Sequence, residues 1–451
     1  MHQTPLCDVD QFIDGQPLGR YQLLIVALCA TVLAIDGFDA QAIGFAAPAL
    51  VGPLHIARSS LGPVFSSGLF GMMIGALVFG PLADRFGRKP ILVFCTALLG
   101  LCSLLTAKAD SLESLMGIRL ATGLGLGGAM PNAVALTSEY MPKRLRATSV
   151  MIMFCGFSLG AAAGGFVAAA LIDRYGWQSI FLAGGVLPCV TAVVLSARLP
   201  ESIRFLLING GDRKRVVEYL SKIAPGVRLS PDTPFAIEQH GAGGFAVKQL
   251  FAAGRSRMTL LLWVIFFMSL LDVYFLNNWL PTMMHDAGIA VEKAILIAAM
   301  FQVGGTAGAL TLGRVVDRQS SYRVLAWAYF AASACVFLIG ASGASTAGLV
   351  CTVFAAGFFV IGAQAGANAL AAEFYPTAIR STGVGWALGI GRIGSIIGPA
   401  LGGALLSARG GTTHVFWAAA VPVFVAAVAG FLAARGEERQ PIRPALASHQ
   451  L

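Results

Sequence analysis

Residues 21–48 read YQLLIVALCATVLAIDGFDAQAIGFAAP, and this run decides the fold. A helix that crosses a bilayer needs about 20 predominantly apolar residues, and the stretch supplies them. Its exceptions are Asp36 and Asp39. A carboxylate near the centre of a spanning helix costs at least ~2.5 kcal/mol on insertion scales. Three residues apart, the two share one helix face and point into the same interior space. Gly37 between them lets another backbone or a ligand approach closely. A chain that carries this cost needs a reason for it.

Outward from that run the same pattern recurs. The chain has 451 residues, 57% hydrophobic and 12% charged, against ~25% charged in soluble domains. Apolar runs between charged or Pro/Gly-marked breaks predict twelve spans. The first six cover roughly 21–48, 60–83, 90–107, 112–138, 147–171 and 177–197. The second six cover roughly 258–284, 292–315, 322–342, 345–372, 381–407 and 414–434. The expected architecture is an all-α membrane protein of twelve transmembrane helices in two pseudo-symmetric six-helix halves. The N-terminal half is 1–197, a cytoplasmic linker with short surface helices is 198–257, and the C-terminal half is 258–451. A soluble enzyme is excluded.

The formal net charge of +9 reports topology. Of the 31 Lys and Arg, five (Arg58, Lys108, Arg174, Lys293, Arg409) fall on one side of the predicted membrane. Arg119 and Arg392 lie within helices, and all the others share the opposite side. This bias places both termini in the cytoplasm of a multi-pass protein of the cell (inner) membrane. The basic face suits anionic lipid, and nucleic acid is not expected as a partner. The first twenty residues lack a basic n-region, so no cleaved signal peptide is expected. Seven cysteines sit in apolar runs without metal-ligand spacing and read as packing residues. No metal site is expected.

An internal repeat divides the chain. Asp84-Arg85 recurs as Asp317-Arg318, and Glu139-Tyr140-Met141-Pro142 with Arg146 recurs as Glu373-Phe374-Tyr375-Pro376 with Arg380. The offsets are 233 and 234 residues. Duplicated halves of one orientation are the design of rocker-switch secondary transporters, which bind substrate near the midplane.

Gly80-Pro81-Leu82-Ala83-Asp84-Arg85-Phe86-Gly87-Arg88-Lys89 resembles the signature loop between helices two and three of the major facilitator superfamily. Charge-assisted bonds in such a loop form in one conformation and break in another, which makes it a latch. The latch residues expected on this basis are Asp84, Arg85, Arg88, Glu139 and Arg146, with Asp317, Arg318, Glu373 and Arg380 in the second copy. Asp36-Gly37-Phe38-Asp39 resembles the first-helix signature of the aromatic acid:proton symporters within that superfamily. Leu199-Pro200-Glu201-Ser202 with Arg204-Phe205-Leu206, and Gly389-Ile390-Gly391-Arg392, resemble other stretches of the same group. The resemblance implies a permease of the 4-hydroxybenzoate and protocatechuate type. Such a protein imports an aromatic carboxylate by proton symport, works as a monomer and needs no cofactor. The alternatives are an exporter, a carrier of another organic acid, or a membrane receptor for aromatic acids.

Five ionisable residues read as buried in spans, away from their ends: Asp36, Asp39, Arg119, Asp272 and Arg392. At 1.5 Å per residue, Asp36 lies about 8 Å from the outer edge and Arg119 about 10 Å, so they share a level. Arg119 or Arg392 would receive a substrate carboxylate, because a guanidinium fork matches its geometry. Asp36 or Asp39 would hold the coupled proton, because burial and the neighbouring carboxylate both disfavour charge. The competing reading is a fixed Asp36–Arg119 ion pair that only holds helices together. Asp272 reads equally as structural or functional. Asn277, Gln364 and Asn368 are candidates for hydrogen bonds to ring hydroxyls or to the carboxylate, with Trp279, Phe154 or Trp386 against the ring. The glycines from Gly123 to Gly128 match a dinucleotide pattern but have no strand before them, so they read as close helix packing. No phosphate-binding lysine motif appears, which leaves ATP-driven transport unsupported.

Overall fold

The computed structural model describes residues 7–54, 56–209, 212–227, 233–236, 247–252, 254–316, 321–341, 346–376, 379–407 and 412–438. A short helix α1 (Val9–Asp14) precedes the first long helix, α2 (Arg20–Leu50). Then follow α3 (Leu61–Phe86), α4 (Arg88–Thr106), α5 (Leu112–Tyr140), α6 (Lys143–Tyr175) and α7 (Gln178–Arg198). The connecting segment holds α8 (Ile203–Ile208), α9 (Arg213–Ile223) and α10 (Val247–Leu250). The second set is α11 (Ser256–Asp286), α12 (Val291–Val316), α13 (Ser321–Ala341), α14 (Thr346–Phe374), α15 (Arg380–Ser407) and α16 (Thr412–Glu438). Among the described residues these make twelve helices of 19 residues or more. Eleven are long and apolar enough to cross a membrane. The twelfth, α5, carries Glu113, Arg119 and Glu139 in its 29 residues.

Each predicted span coincides with one long helix, ends agreeing within four residues. The helices run slightly longer because backbone hydrogen bonding does not stop where the apolar zone does. Helix α6 starts at Lys143, directly after Pro142 in extended conformation, and not at the first apolar residue.

Two compact units are present: one of Met1–Ala242, Leu276–Val303 and Pro399–Arg409, the other of Gly243–Phe275, Gly304–Gly398 and Gly410–Leu451. In the first unit α3 and α4 pack on α5, α2 packs on α6, and α7 on α4. The connecting helices also belong to it. Helix α9 turns Val216, Leu220 and Ile223 into an apolar cluster with Ile25, Cys29, Leu199, Ile203 and Val9. A two-residue parallel pairing of Cys7–Asp8 with Phe235–Ala236 joins the N-terminal segment to the connecting segment.

Small residues set the helix pairs, and they repeat. A Cβ on Gly71 or Gly75 of α3 would lie 2.1 Å and 2.2 Å from the carbonyl oxygens of Leu120 and Leu124 in α5. In the second unit Gly304 and Gly308 of α12 stand in the same relation to Phe354 and Phe358 of α14, at 2.1 Å and 1.9 Å. Likewise Gly160 of α6 meets Ala34 of α2, and Gly394 of α15 meets Phe267 of α11. Gly164 against Phe38 and Gly398 against Leu271 continue the register. Each second-half residue lies 233 or 234 positions after its counterpart, so the two halves repeat in geometry as well as in sequence. The glycines of α5 serve this packing: Gly123 and Gly127 face the backbone of α3, and Gly125 that of α4.

A methyl on Gly160 would sit 1.8 Å from the Ala34 oxygen, which forces α2 and α6 apart. Gly160→Ala is expected to cost at least the ~1–3 kcal/mol typical of overpacking. Gly80→Ala, with nothing within 4 Å of the added methyl, is expected to leave stability unchanged or improved. Thermal unfolding of the two detergent-solubilised variants checks the contrast.

Candidate functional site

Inside the long helices of the first unit, the described charges Asp36, Asp39 and Arg119 form one ion pair and one isolated acid. Arg119 on α5 donates from Nη1 to Asp39 Oδ2 on α2 at 3.1 Å. The Ser103 hydroxyl of α4 donates to the other oxygen at 2.7 Å. Both Asp39 and Arg119 are buried. Asp36, one turn earlier on α2, is 1% exposed, and neither of its oxygens has a hydrogen-bond partner among the described residues. Arg119 therefore meets Asp39 and not Asp36. Depth arithmetic fixes the level of a Cα to about one turn, which the length of an arginine side chain spans. Gly37 is occupied by a neighbouring backbone: a Cβ there would lie 2.0 Å from the Phe157 carbonyl oxygen of α6.

This set has a definite charge. With Asp39 and Arg119 cancelling, these three buried groups sum to zero when Asp36 carries a proton and to minus one when it does not. An isolated carboxylate in a dry site is expensive, whereas its neutral acid is not. The arrangement is thus suited to taking up and releasing one proton.

In the second unit Arg392 on α15 is half-buried and donates from Nη1 to the Tyr274 hydroxyl of α11 at 3.1 Å. Asp272 is fully buried, and its oxygens have no hydrogen-bond partner among the described residues. Gln364 on α14 is buried with neither side-chain polar atom bonded, and Asn368, one turn on, is exposed. Trp386 is partly exposed and stacks on Trp263 at 5.8 Å between ring centroids. In the first unit Asn277 accepts from Gln302 at 3.0 Å. Trp279 is fully buried, donates to the Pro399 carbonyl at 2.9 Å and meets Phe65 edge-on. Phe154 is 40% exposed.

At the end of the bundle that carries the N-terminus, Arg88 is the hub. It pairs with Glu139 of α5 at 3.1 Å and with Asp84 at 3.3 Å. The Glu201 carboxylate accepts the backbone N–H groups of Arg88 and Lys89 at 2.8 Å and 3.1 Å, so a residue more than a hundred positions away caps the start of α4. Gly87 allows this with φ +101°, and a Cβ there would meet the Glu201 carboxylate. Ser202 donates to Glu139, and the Tyr140 hydroxyl donates to the Glu201 carbonyl. Arg85 turns away and lies over the Phe86 ring. Arg146 pairs with Asp10 of α1 at 3.8 Å, and Arg204 with the same carboxylate at 2.9 Å. In the second copy, Glu373 and Arg380 are exposed and Arg380 donates to the Tyr375 carbonyl. Asp317 and Arg318 lie outside the described residues. Ser103, Tyr274 and Asp10 are participants that the sequence did not single out, and Glu201 stood there in a motif without a partner or role. A hydroxyl facing a buried acid is the signal that Ser103 offered.

Long apolar helices in two repeated sets, with sparse charges sealed among them, define a polytopic membrane transporter. The chain belongs to the major facilitator superfamily, whose family model matches residues 29–231 and 262–449. It is 46% identical to the 4-hydroxybenzoate transporter PcaK of Pseudomonas aeruginosa over 94% of this chain and 95% of that one. It is 42% identical to the gallate transporter of Pseudomonas putida, covering 97% of both chains. It is 37% identical to the 3-(3-hydroxy-phenyl)propionate transporter of Escherichia coli K12, over 91% of this chain and 93% of that one. Among solved structures, the inward-open xylose transporter XylE of E. coli aligns with a TM-score of 0.73 at 16% identity, covering 90% of this chain and 95% of that one. The protein is a multi-span inner-membrane transporter of this twelve-helix superfamily and not an enzyme.

Proposed function

We propose that this protein imports a small aromatic carboxylate of the hydroxybenzoate type by proton symport, with both termini in the cytoplasm. The relatives that transport 4-hydroxybenzoate, gallate and hydroxyphenylpropionate support the substrate class. The observation that carries the coupling is Asp36, buried without a partner one turn from a closed Asp39–Arg119 pair. Asp36 holds the proton. Asp39 and Arg119 form the fixed charge-neutral neighbour that makes a second uncompensated charge costly.

In the second unit Arg392 takes the substrate carboxylate. Its described hydrogen bond goes to the Tyr274 hydroxyl, which a carboxylate outcompetes as an acceptor for a guanidinium. Gln364 and Asn368 offer amides to ring hydroxyls. The Arg88–Glu139–Asp84 cluster, with Arg146 and the residues of the second copy, is the latch of one conformation. The halves 1–197 and 258–451 are the moving bodies, and residues 198–257 link them.

The test is uptake of labelled 4-hydroxybenzoate into proteoliposomes under an imposed pH gradient, with an uncoupler control. Accumulation that the uncoupler abolishes is expected. Equilibration without accumulation, or binding without uptake, would end the symport reading.

A further inference from the structure

Asp272 occupies the position in the second unit that Asp39 occupies in the first. The register comes from packing: Phe38 and Leu271 are each approached by the matching glycines Gly164 and Gly398, which places Asp39 and Asp272 one residue further on. The same register makes Val353 the counterpart of Arg119, since Leu120 and Phe354 are matched by Gly71 and Gly304. The second unit has therefore kept the acid and lost its arginine. Val353 is fully buried, so an apolar side chain stands where the first unit has its guanidinium.

What surrounds Asp272 is polar but neutral. Ser269, one turn earlier on the same face of α11, is fully buried, and the Tyr329 hydroxyl of α13 lies beside it. Among the described residues, titratable or charged groups that meet α11 from other elements are Tyr329, Arg392 on α15 by way of Tyr274, Tyr375 more than three turns away near the helix start, and Arg58, paired with Asp286 at the far end of the helix. None of them donates a hydrogen bond to Asp272.

We propose that Asp272 is a second proton-carrying carboxylate, so that two protons accompany each substrate anion. This rests on the symport reading above and extends it to stoichiometry. When the substrate carboxylate pairs with Arg392, Asp272 is carried as the acid, and the charges of these three groups sum to zero. When the substrate leaves, Asp272 releases its proton, and its carboxylate balances Arg392 within the same unit. Substrate and proton thus leave together because each departure removes the reason for the other to stay. One anion and two protons move inward, a net transfer of one positive charge per cycle.

Charge movement on solid-supported membranes, with 4-hydroxybenzoate as the probe, tests this. Wild-type protein is expected to give a positive inward current at a ratio of two protons per substrate. Asp272→Asn should abolish the net charge per substrate, keep substrate counterflow within about threefold, and lower the ratio to one. Asp272→Glu, which keeps an acid, should restore the current. A wild-type ratio of one with no current overturns the inference while leaving symport intact. So does an Asp272→Asn variant with wild-type charge per substrate. If the asparagine variant does not assemble, the wild-type ratio decides alone. Absence of any gradient-driven uptake by the wild type would instead remove the symport reading itself.

Discussion

Arg119→Leu is expected to abolish transport and to leave little folded protein in the membrane. The guanidinium is bonded to Asp39 through Nη1, and Nη2 reaches the Asp39 backbone carbonyl at 3.5 Å. Removing it leaves the Asp39 carboxyl group buried beside Asp36 with Ser103 as its remaining side-chain donor. Breaking one side of a buried pair costs about 3–5 kcal/mol, a large part of the total stability of most domains. Asp39→Asn with Arg119 intact is expected to be comparably damaging, because a guanidinium is then uncompensated. Removing both charges should cost far less than the sum of the two, since replacing a whole buried pair by neutral groups is often nearly neutral. The double-mutant cycle, read as yield and thermal midpoint after detergent extraction, should give a coupling of at least ~2 kcal/mol. Independent, additive losses would mean that the pair does not hold α2 to α5.

How much of this was legible beforehand follows from what each signal depends on. The spans were legible because each needs only a local run of apolar residues, and residues 21–48 are as clear in sequence as α2 is in structure. The duplication was legible from Asp84 and Glu139 alone, and the matched glycine contacts at Gly71 and Gly304 carry it into packing. The partner of Arg119 was not legible. Sequence distance gives depth along an axis but no azimuth, and Asp36 and Asp39 both lay within one side chain's reach. Glu201 and Asp10 were hidden for a different reason. Their partners Arg88 and Arg204 lie 113 and 194 residues away, and no local pattern records a side chain that crosses from one helix end to another. Trp279 shows the same limit: its indole donates to a carbonyl 120 residues on, which fixes it as part of a packed helix contact in this structure.

Asp36→Asn is expected to separate transport from energy coupling. Asparagine has nearly the size of the protonated acid and its neutrality, so the first unit keeps the charge it has when loaded. The buried site no longer has to hold an ionisable group without a partner, so stability should hold or rise. What disappears is the ability to change charge between the two sides of the membrane. Each pH unit across the membrane stores about 1.4 kcal/mol per coupled proton, enough for ~10-fold accumulation. In Asp36→Asn the share of Asp36 should vanish, so that a one-unit gradient accumulates at least ~10-fold less labelled 4-hydroxybenzoate than in the wild type. Counterflow, which needs only the loaded form to cross, should stay within about threefold. Asp39→Asn offers the contrast, because it uncovers Arg119 and should lose counterflow and accumulation together. Full accumulation by Asp36→Asn would move the proton to another group and leave the isolated acid of α2 with a structural role alone. Loss of counterflow in that variant, with the protein well folded, would show that Asp36 must ionise for the carrier to turn over at all.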